Sequence, residues 1–513
     1  MSRLSIFLNT IFAIAWSIPC SAAGVFVSMA IASEKKETAE NVNLNSSYLQ
    51  SHMPVIFPRI SLIGAIPAPY HQFRNPSNVD WMGMKPSLLG LGLVIQPYLV
   101  WSSVSCLVSR SLLLLRTPTL VLDIFNKFYL LKTKLVFSNK VVKHRAVNMN
   151  GLTITPFIAN LPKVELHVHI EGTLTPSLRW ELAHRNKISL PYATFSDLQA
   201  SYAVTLNHRP ELNGRQPGIP TFLEAYFAGC EVLRTETDFY DLAMAYLRRC
   251  AAMNVRYTEP FFDIQAHTRR GIPAAAVMDG YMRAQHDAAV QLGVHSRWIL
   301  CFLRDEPVGQ GLDAYREARP WAAGTVEGGK GLFHAVGLAS NAYERPPMLF
   351  EEGFALARAD GLHVTMHCDF GQKDTREHVT EAIFEVCGGR GAERIDHGLD
   401  AEDSEELWRG LVDRGIGLTL CPHAYHRRTA TEVLFPKIRR LVESGVKICI
   451  NSDDPTLMHD VWIDGNLQKV YTYCGFSRGE MVQLARNAVD MCWAEGDIKR
   501  SIYQELDDVD ICE

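Results

Sequence analysis

From Leu161 onward the chain alternates short apolar runs with longer amphipathic segments. The runs Val164–His169, Val255–Phe262, Ser296–Leu303, Leu332–Leu338, His363–His367, Arg394–Gly398, Gly417–Cys421 and Lys447–Asn451 read as strands. Between them, segments such as Ala274–Gln291, Met348–Ala359, Thr375–Val386, Glu402–Arg414 and Glu432–Ser444 place apolar residues at helical spacing. Eight strands alternating with helices predict an α/β fold, a (β/α)8 TIM barrel. A doubly wound open sheet shares that alternation. It should also carry a glycine-rich phosphate turn after its first strand, and Glu171-Gly172-Thr173-Leu174 is not one.

Residues 1–148 follow a different grammar. Leu4 to Ser33 carries no charge and has small residues at Cys20-Ser21-Ala22-Ala23, in the manner of a signal peptide or membrane anchor. Pro86 to Ser109 is a second uncharged stretch, interrupted by Pro97. A membrane-anchored extension, a targeting segment, or translated sequence upstream of a true start near Met149 would each account for this. The abrupt onset of regular alternation after Met149 favours the third. The expected division is a poorly structured extension, 1–148, and a barrel, 149–513. Contact with a membrane, or secretion, follows only if residues 1–33 are a genuine targeting segment.

Composition adds three constraints. A hydrophobic fraction of 47% is ample for a large core, and a net charge of −5 with mixed signs gives no reason to expect nucleic acid as a partner. The twelve cysteines are scattered with no CxxC pair, which suits a reducing, cytoplasmic setting better than a disulfide scaffold. The oligomeric state is left open.

The strand ends carry the chemistry. His167 and His169 close the first run, and side chains at i and i+2 share one face of a strand, so both imidazoles can reach one ion at a barrel mouth. His367 ends the fifth run, and Asp453 and Asp454 follow the eighth in Asn451-Ser452-Asp453-Asp454-Pro455. Nitrogen and oxygen donors without thiolate fit zinc, with iron and manganese as alternatives. His397, ending the sixth run, is one histidine more than the metal needs. Zinc lowers the pKa of a bound water to about 7, and His397 and Asp454 are the candidates to orient or deprotonate that water.

These residues fall within a longer resemblance. Leu161-Pro162-Lys163-Val164-Glu165-Leu166-His167-Val168-His169-Ile170-Glu171-Gly172-Thr173-Leu174 resembles the opening signature of the adenosine/adenine deaminases, in the metal-dependent amidohydrolase superfamily. The likeness continues, in order, through Tyr257-Thr258-Glu259-Pro260-Phe261-Phe262-Asp263, Ile395-Asp396-His397-Gly398, Cys421-Pro422 and Ser452-Asp453-Asp454-Pro455, covering about 161–500. The resemblance implies one zinc per chain on His167, His169, His367 and Asp453, with His397 and Asp454 handling the attacking water. It also implies hydrolytic deamination of a small-molecule purine: hydroxide attacks C6 and ammonia leaves. Glu171, where adenosine-type members have Asp near the ribose, tilts the likeness toward the adenine-type branch, as does the stretch Tyr257 to Thr268. Adenine, adenosine or an N6-substituted relative is the expected substrate.

Two departures stand out. The family's fifth-strand motif is His-Ala-Gly-Glu, whose Glu donates a proton to the ring nitrogen; here the chain reads His367-Cys368-Asp369-Phe370-Gly371-Gln372. Phe370 cannot transfer a proton and becomes a candidate substrate contact, with Asp369 as the replacement acid. After Cys421-Pro422 the family continues with Ser-Asn, whereas this chain has His423-Ala424-Tyr425-His426-Arg427-Arg428. Two alternatives follow: another single-metal amidohydrolase, or a metal-bound barrel without catalysis. Two-metal relatives need a lysine after the fourth strand, where Ala339-Ser340-Asn341 stands instead, and Ser340 joins Glu171 as a candidate substrate contact. A cytidine-deaminase Pro-Cys-x-x-Cys, a His-Glu-x-x-His helix and a phosphate-binding glycine loop are absent from the sequence.

Overall fold

The computed structural model describes residues 152–204, 222–324, 326 and 328–512. The expected extension, 1–148, lies outside the described residues. Ten short strands occupy the eight expected positions: β1 (Lys163–Glu165), β2 (Val255–Thr258), β3 (Phe261–Phe262), β4 (His295–Ser296), β5 (Trp298–Leu303), β6 (Phe333–Ala339), β7 (His363–Cys368), β8 (Arg394–His397), β9 (Gly417–Leu420) and β10 (Ile448–Ile450). β2 runs on into β3 and β4 into β5. Pro260, which has no N–H to give a ladder, marks the first of these breaks.

Every registered pair is parallel, in the order β10-β9-β8-β7-β6-β5-β3 and β1-β2-β4. Single parallel bridges extend the first strand to both of its neighbours and close the ring: Val168 pairs with Asp453, just past the last strand, and His169 pairs with Phe261 of β3. The result is the (β/α)8 barrel. Side chains alternate as a barrel requires. Ile299 and Cys301 pack with Phe261, Ala335 and Ala339 in one small cluster, while Leu300, Phe302, Val336, Leu338, Val364 and Met366 belong to the large core beneath the helices.

Several expected boundaries shift for local reasons. The first strand keeps regular pairing only over Lys163–Glu165; beyond it, Leu166 N donates to Asn451 Oδ1 at 2.8 Å in place of a ladder bond. The expected helix Met348–Ala359 opens as a 3-10 turn, Pro347–Phe350, before the α-helix Glu351–Ala359. The segment expected to begin at Glu402 is a 3-10 turn, Leu399–Asp403, followed by the helix Glu405–Arg414. Two of the outer helices, Glu236–Ala252 and Arg478–Met491, begin with capping boxes, Thr235 with Asp238 and Ser477 with Glu480. Among the described residues no helix is long and apolar enough to cross a membrane.

Candidate metal centre

The barrel closes at the candidate ligands. Asp453 N donates to His167 O at 3.0 Å and His169 N donates to Asp453 O at 3.1 Å, so the last strand's extension is threaded between the two histidines. These bonds hold Asp453 at φ 66°, a left-handed conformation that costs a non-glycine residue free energy. His397 is held likewise, at φ 66°. Both turn their side chains at strand ends, where this fold gathers its chemistry.

The nitrogen and oxygen atoms converge. His169 Nε2 and His367 Nε2 face each other at 3.0 Å, and Asp453 Oδ1 lies 3.5 Å from His167 Nε2 and 3.7 Å from His169 Nε2. His167 Nε2 is buried without a hydrogen-bond partner. Three overlapping sets have all their ligand atoms within 4.8 Å of one another: His167, His169 and His367; His169, Asp453 and Asp454; and His167, His397, Cys421 and Asp453. Burial pushes the His169 imidazole down to about 4 and His367 well below its usual range, with neighbouring imidazoles adding to the effect on His367. Burial works against the Asp453 carboxylate, but the nearby imidazoles, His167 first among them, outweigh it and hold it well below. Burial also lowers His167, and there the Asp453 carboxylate 3.5 Å away wins, for a net rise. Neutral imidazoles at His169 and His367 beside an ionised carboxylate suit a zinc ion, and an ion bound there would displace any proton His167 holds. Burial pushes the Cys421 thiol well up, so its sulfur is the poorer donor.

Behind the ligands stands Asp396, fully buried on β8. Thr419 Oγ1 donates to Asp396 Oδ1 at 2.9 Å and lies 2.9 Å from His167 Nδ1. The hydroxyl hydrogen being used, Thr419 can only accept from His167 Nδ1–H, which leaves His167 Nε2 bare toward the site. The other Asp396 oxygen lies 2.8 Å from Thr365 Oγ1 and 3.5 Å from His367 Nδ1. Neither Asp396 nor Thr419 stands out from the sequence as a site residue. Asp396 sits in the Ile395-Asp396-His397-Gly398 motif, and Thr419 lies two residues before Cys421, so both positions carried a signal.

The remaining candidates divide into two groups. Asp454 lies beside Asp453 with Oδ1 buried and unpaired, and burial together with the Asp453 charge raises its carboxyl well above the usual range. Its approach depends on Gly172, where a Cβ would stand 1.9 Å from Asp454 Oδ1. His397 packs 4.6 Å from the His167 ring, and its Nε2 is 3.9 Å from Asp369 Oδ1. Asp369 is half-buried, accepts from Gln372 Nε2, and is raised by burial, with Arg428 and Arg304 offsetting part of the rise. Phe370 is buried against Tyr425, and Arg428 donates to its carbonyl at 2.9 Å.

Glu171 and Ser340 stand apart from this cluster. Glu171 is buried and accepts from His267 Nε2 at 2.9 Å, Asp263 N at 3.3 Å and Tyr226 OH at 3.2 Å. Tyr226 in turn lies edge-on to His169 at 6.3 Å, so Glu171 is set one ring behind the ligands. Ser340 follows β6 at φ 76° with a buried, unpaired hydroxyl, and no hydrogen bond or ion pair joins it to the other candidates among the described residues.

Comparison with known proteins places this geometry. The family described as adenosine deaminase matches residues 162–509. An adenine deaminase of Ectopseudomonas mendocina is 39% identical over 331 residues, spanning 64% of this chain and 96% of that protein. The structure of an adenine deaminase from Arthrobacter aurescens superposes with a TM-score of 0.60 at 30% identity, covering 68% of this chain and 98% of the other. A Burkholderia ambifaria amidohydrolase with bound zinc gives a TM-score of 0.59 at 26% identity, covering 70% and 95%.

Proposed function

Because the chain belongs to the adenosine deaminase family, on its adenine-type branch, and is thereby a hydrolase acting on C–N bonds of cyclic amidines, we propose that it is a single-zinc hydrolytic deaminase of an aminopurine. The observation that carries this reading is the cluster of His167, His169 and His367, with Asp453 Oδ1 3.5 Å from His167 Nε2 and 3.7 Å from His169 Nε2 and with His167 Nε2 orphaned. Those four residues would hold the ion, which when bound supplies an acidified water at neutral pH. The zinc in the Burkholderia relative supports that choice of metal.

The chain's own residues do the rest. Asp454 and His397 flank the ligands and hold the attacking water against purine C6. The carboxyl of Asp369, raised by burial, gives its proton to the ring nitrogen in place of the family's glutamic acid. The amino group leaves C6 as ammonia and the water's oxygen stays. Glu171, held by His267 and Tyr226, stiffens the wall behind His169 and leaves room for a base or a base with a small substituent. The substrate is adenine, adenosine or an N6-substituted relative. Buried free thiols such as Cys230, Cys301 and Cys368 favour a reducing, cytoplasmic setting.

Phe370 supports a second reading, a metal-bound barrel that hydrolyses a different C–N bond or none. Ammonia release from a panel of aminopurines by the zinc-loaded full chain decides between them. Release from one or more members is the expected result; no release from any, with one zinc bound per chain, would reject the deaminase reading.

A further inference from the structure

The two departures from the adenine-type pattern are distant in sequence and touch in the fold. The Phe370 ring, after β7, lies 5.1 Å from the Tyr425 ring, in the short helix after β9. Tyr425 is buried, and among the described residues its hydroxyl has two partners: Cys421 N at 3.0 Å and His397 Nδ1 at 2.8 Å. The Cys421 N–H can only donate, so it occupies a lone pair of the phenol oxygen. The phenol hydrogen then has a single acceptor, His397 Nδ1, and a buried donor left without one is unfavourable.

An imidazole whose Nδ1 accepts a hydrogen bond is, when neutral, protonated on Nε2. That nitrogen faces the site. It stands 3.9 Å from Asp369 Oδ1, too far for a direct hydrogen bond. In the opposite tautomer, Nδ1–H would point at the phenol oxygen and strand the phenol hydrogen.

We propose that Tyr425 is a positioning residue that fixes neutral His397 as the Nε2–H tautomer. The Nε2–H of His397 then donates a hydrogen bond to the reacting oxygen. Phe370 and Tyr425 act as one unit: the Phe370 ring packs against the tyrosine whose hydroxyl sets the histidine. This assignment rests on the deaminase reading and names what fixes the histidine that faces the reacting oxygen.

Nitrogen-15 spectra of the histidine-labelled, zinc-loaded full chain test it, with His397→Gln assigning the signal. His397 should show a protonated Nε2 and a bare Nδ1. Tyr425→Phe keeps the ring and loses the hydroxyl; the tautomers should mix, and kcat should fall roughly tenfold with KM and zinc content unchanged. A His397 protonated on Nδ1 in the unaltered chain, or a tautomer indifferent to Tyr425→Phe, overturns the proposal. The spectra need no substrate, so they stay readable if no aminopurine is turned over. If Tyr425→Phe does not fold, the spectrum of the unaltered chain decides alone.

Discussion

Asp453 N donates to His167 O at 3.0 Å, so the contact that closes the barrel also joins two of the candidate metal ligands. Site and fold are therefore one structure at this seam. An ion held there ties the first strand to the last, and its removal should loosen both.

Stability should consequently follow the metal. A ligand that binds only the folded state at a thousand times its Kd adds about 4 kcal/mol. Thermal unfolding of the full chain with zinc present and after chelation should show a clear drop in Tm on chelation, restored by zinc. An unchanged Tm would separate the seam from the metal.

Asp396 should tune the ion without touching it. Asp396→Asn presents an amide nitrogen or a weaker acceptor to Thr419, and the proton order that leaves His167 Nε2 bare is lost. Loss of such an orienting partner typically costs about 10–100-fold in metal affinity. Competition titration with a zinc chelator should show that loss, and Thr419→Val should add little to it because both changes break one chain.

Gly172 has no room for a side chain. A Cβ there would overlap Asp454 Oδ1 at 1.9 Å, so Gly172→Ala must displace the carboxylate. Steric insertions of this kind cost about 1–3 kcal/mol. The variant should fold, bind zinc, and lose most of its turnover, read as kcat at fixed zinc content.

Lys163 should impose a pH dependence on stability. It is buried at the start of β1, donates to Leu161 O at 2.8 Å and Met253 O at 2.9 Å, and burial lowers it from 10.5 to about 7. The unfolded chain holds this proton more tightly, so its contribution is fully present above 10.5 and is lost as pH falls through about 7. Urea unfolding of the full chain should show stability rising across that window, and Lys163→Met should flatten the rise.

Local pattern carried much of this outcome and contact in space carried the remainder. The eight strand positions, His167 and His169 on one face, and His367 and Asp453 at strand ends were legible because period-two alternation and chain order fix which residues meet at a barrel mouth. The short first strand was not, because whether Leu166 finds a ladder partner depends on Asn451, 285 residues away. Asp396 and Thr419 act through a shared proton that only their juxtaposition reveals. Glu171 reads as a substrate contact from its motif; its hydrogen bonds with His267, Asp263 and Tyr226 were not legible, because those residues meet it only in space. Phe370 was visible as a departure, and its contact with Tyr425 was not.

Asp369 is the proposed replacement for the family's glutamic acid. Asp369→Asn keeps the size of the group and removes its proton, and losing a positioned general acid costs about 10²–10⁴ in rate. Turnover should collapse while zinc stays near one per chain; unchanged turnover would remove Asp369 from the reaction.

In the proposed reaction water replaces an amino group on a purine. The most direct measurement is incubation of the zinc-loaded full chain with adenine and its N6-substituted relatives in oxygen-18 water, following ammonia or the released amine together with product mass. One solvent oxygen at C6 per nitrogen released is the result expected. Unchanged substrates throughout the panel, with zinc bound, would contradict the account.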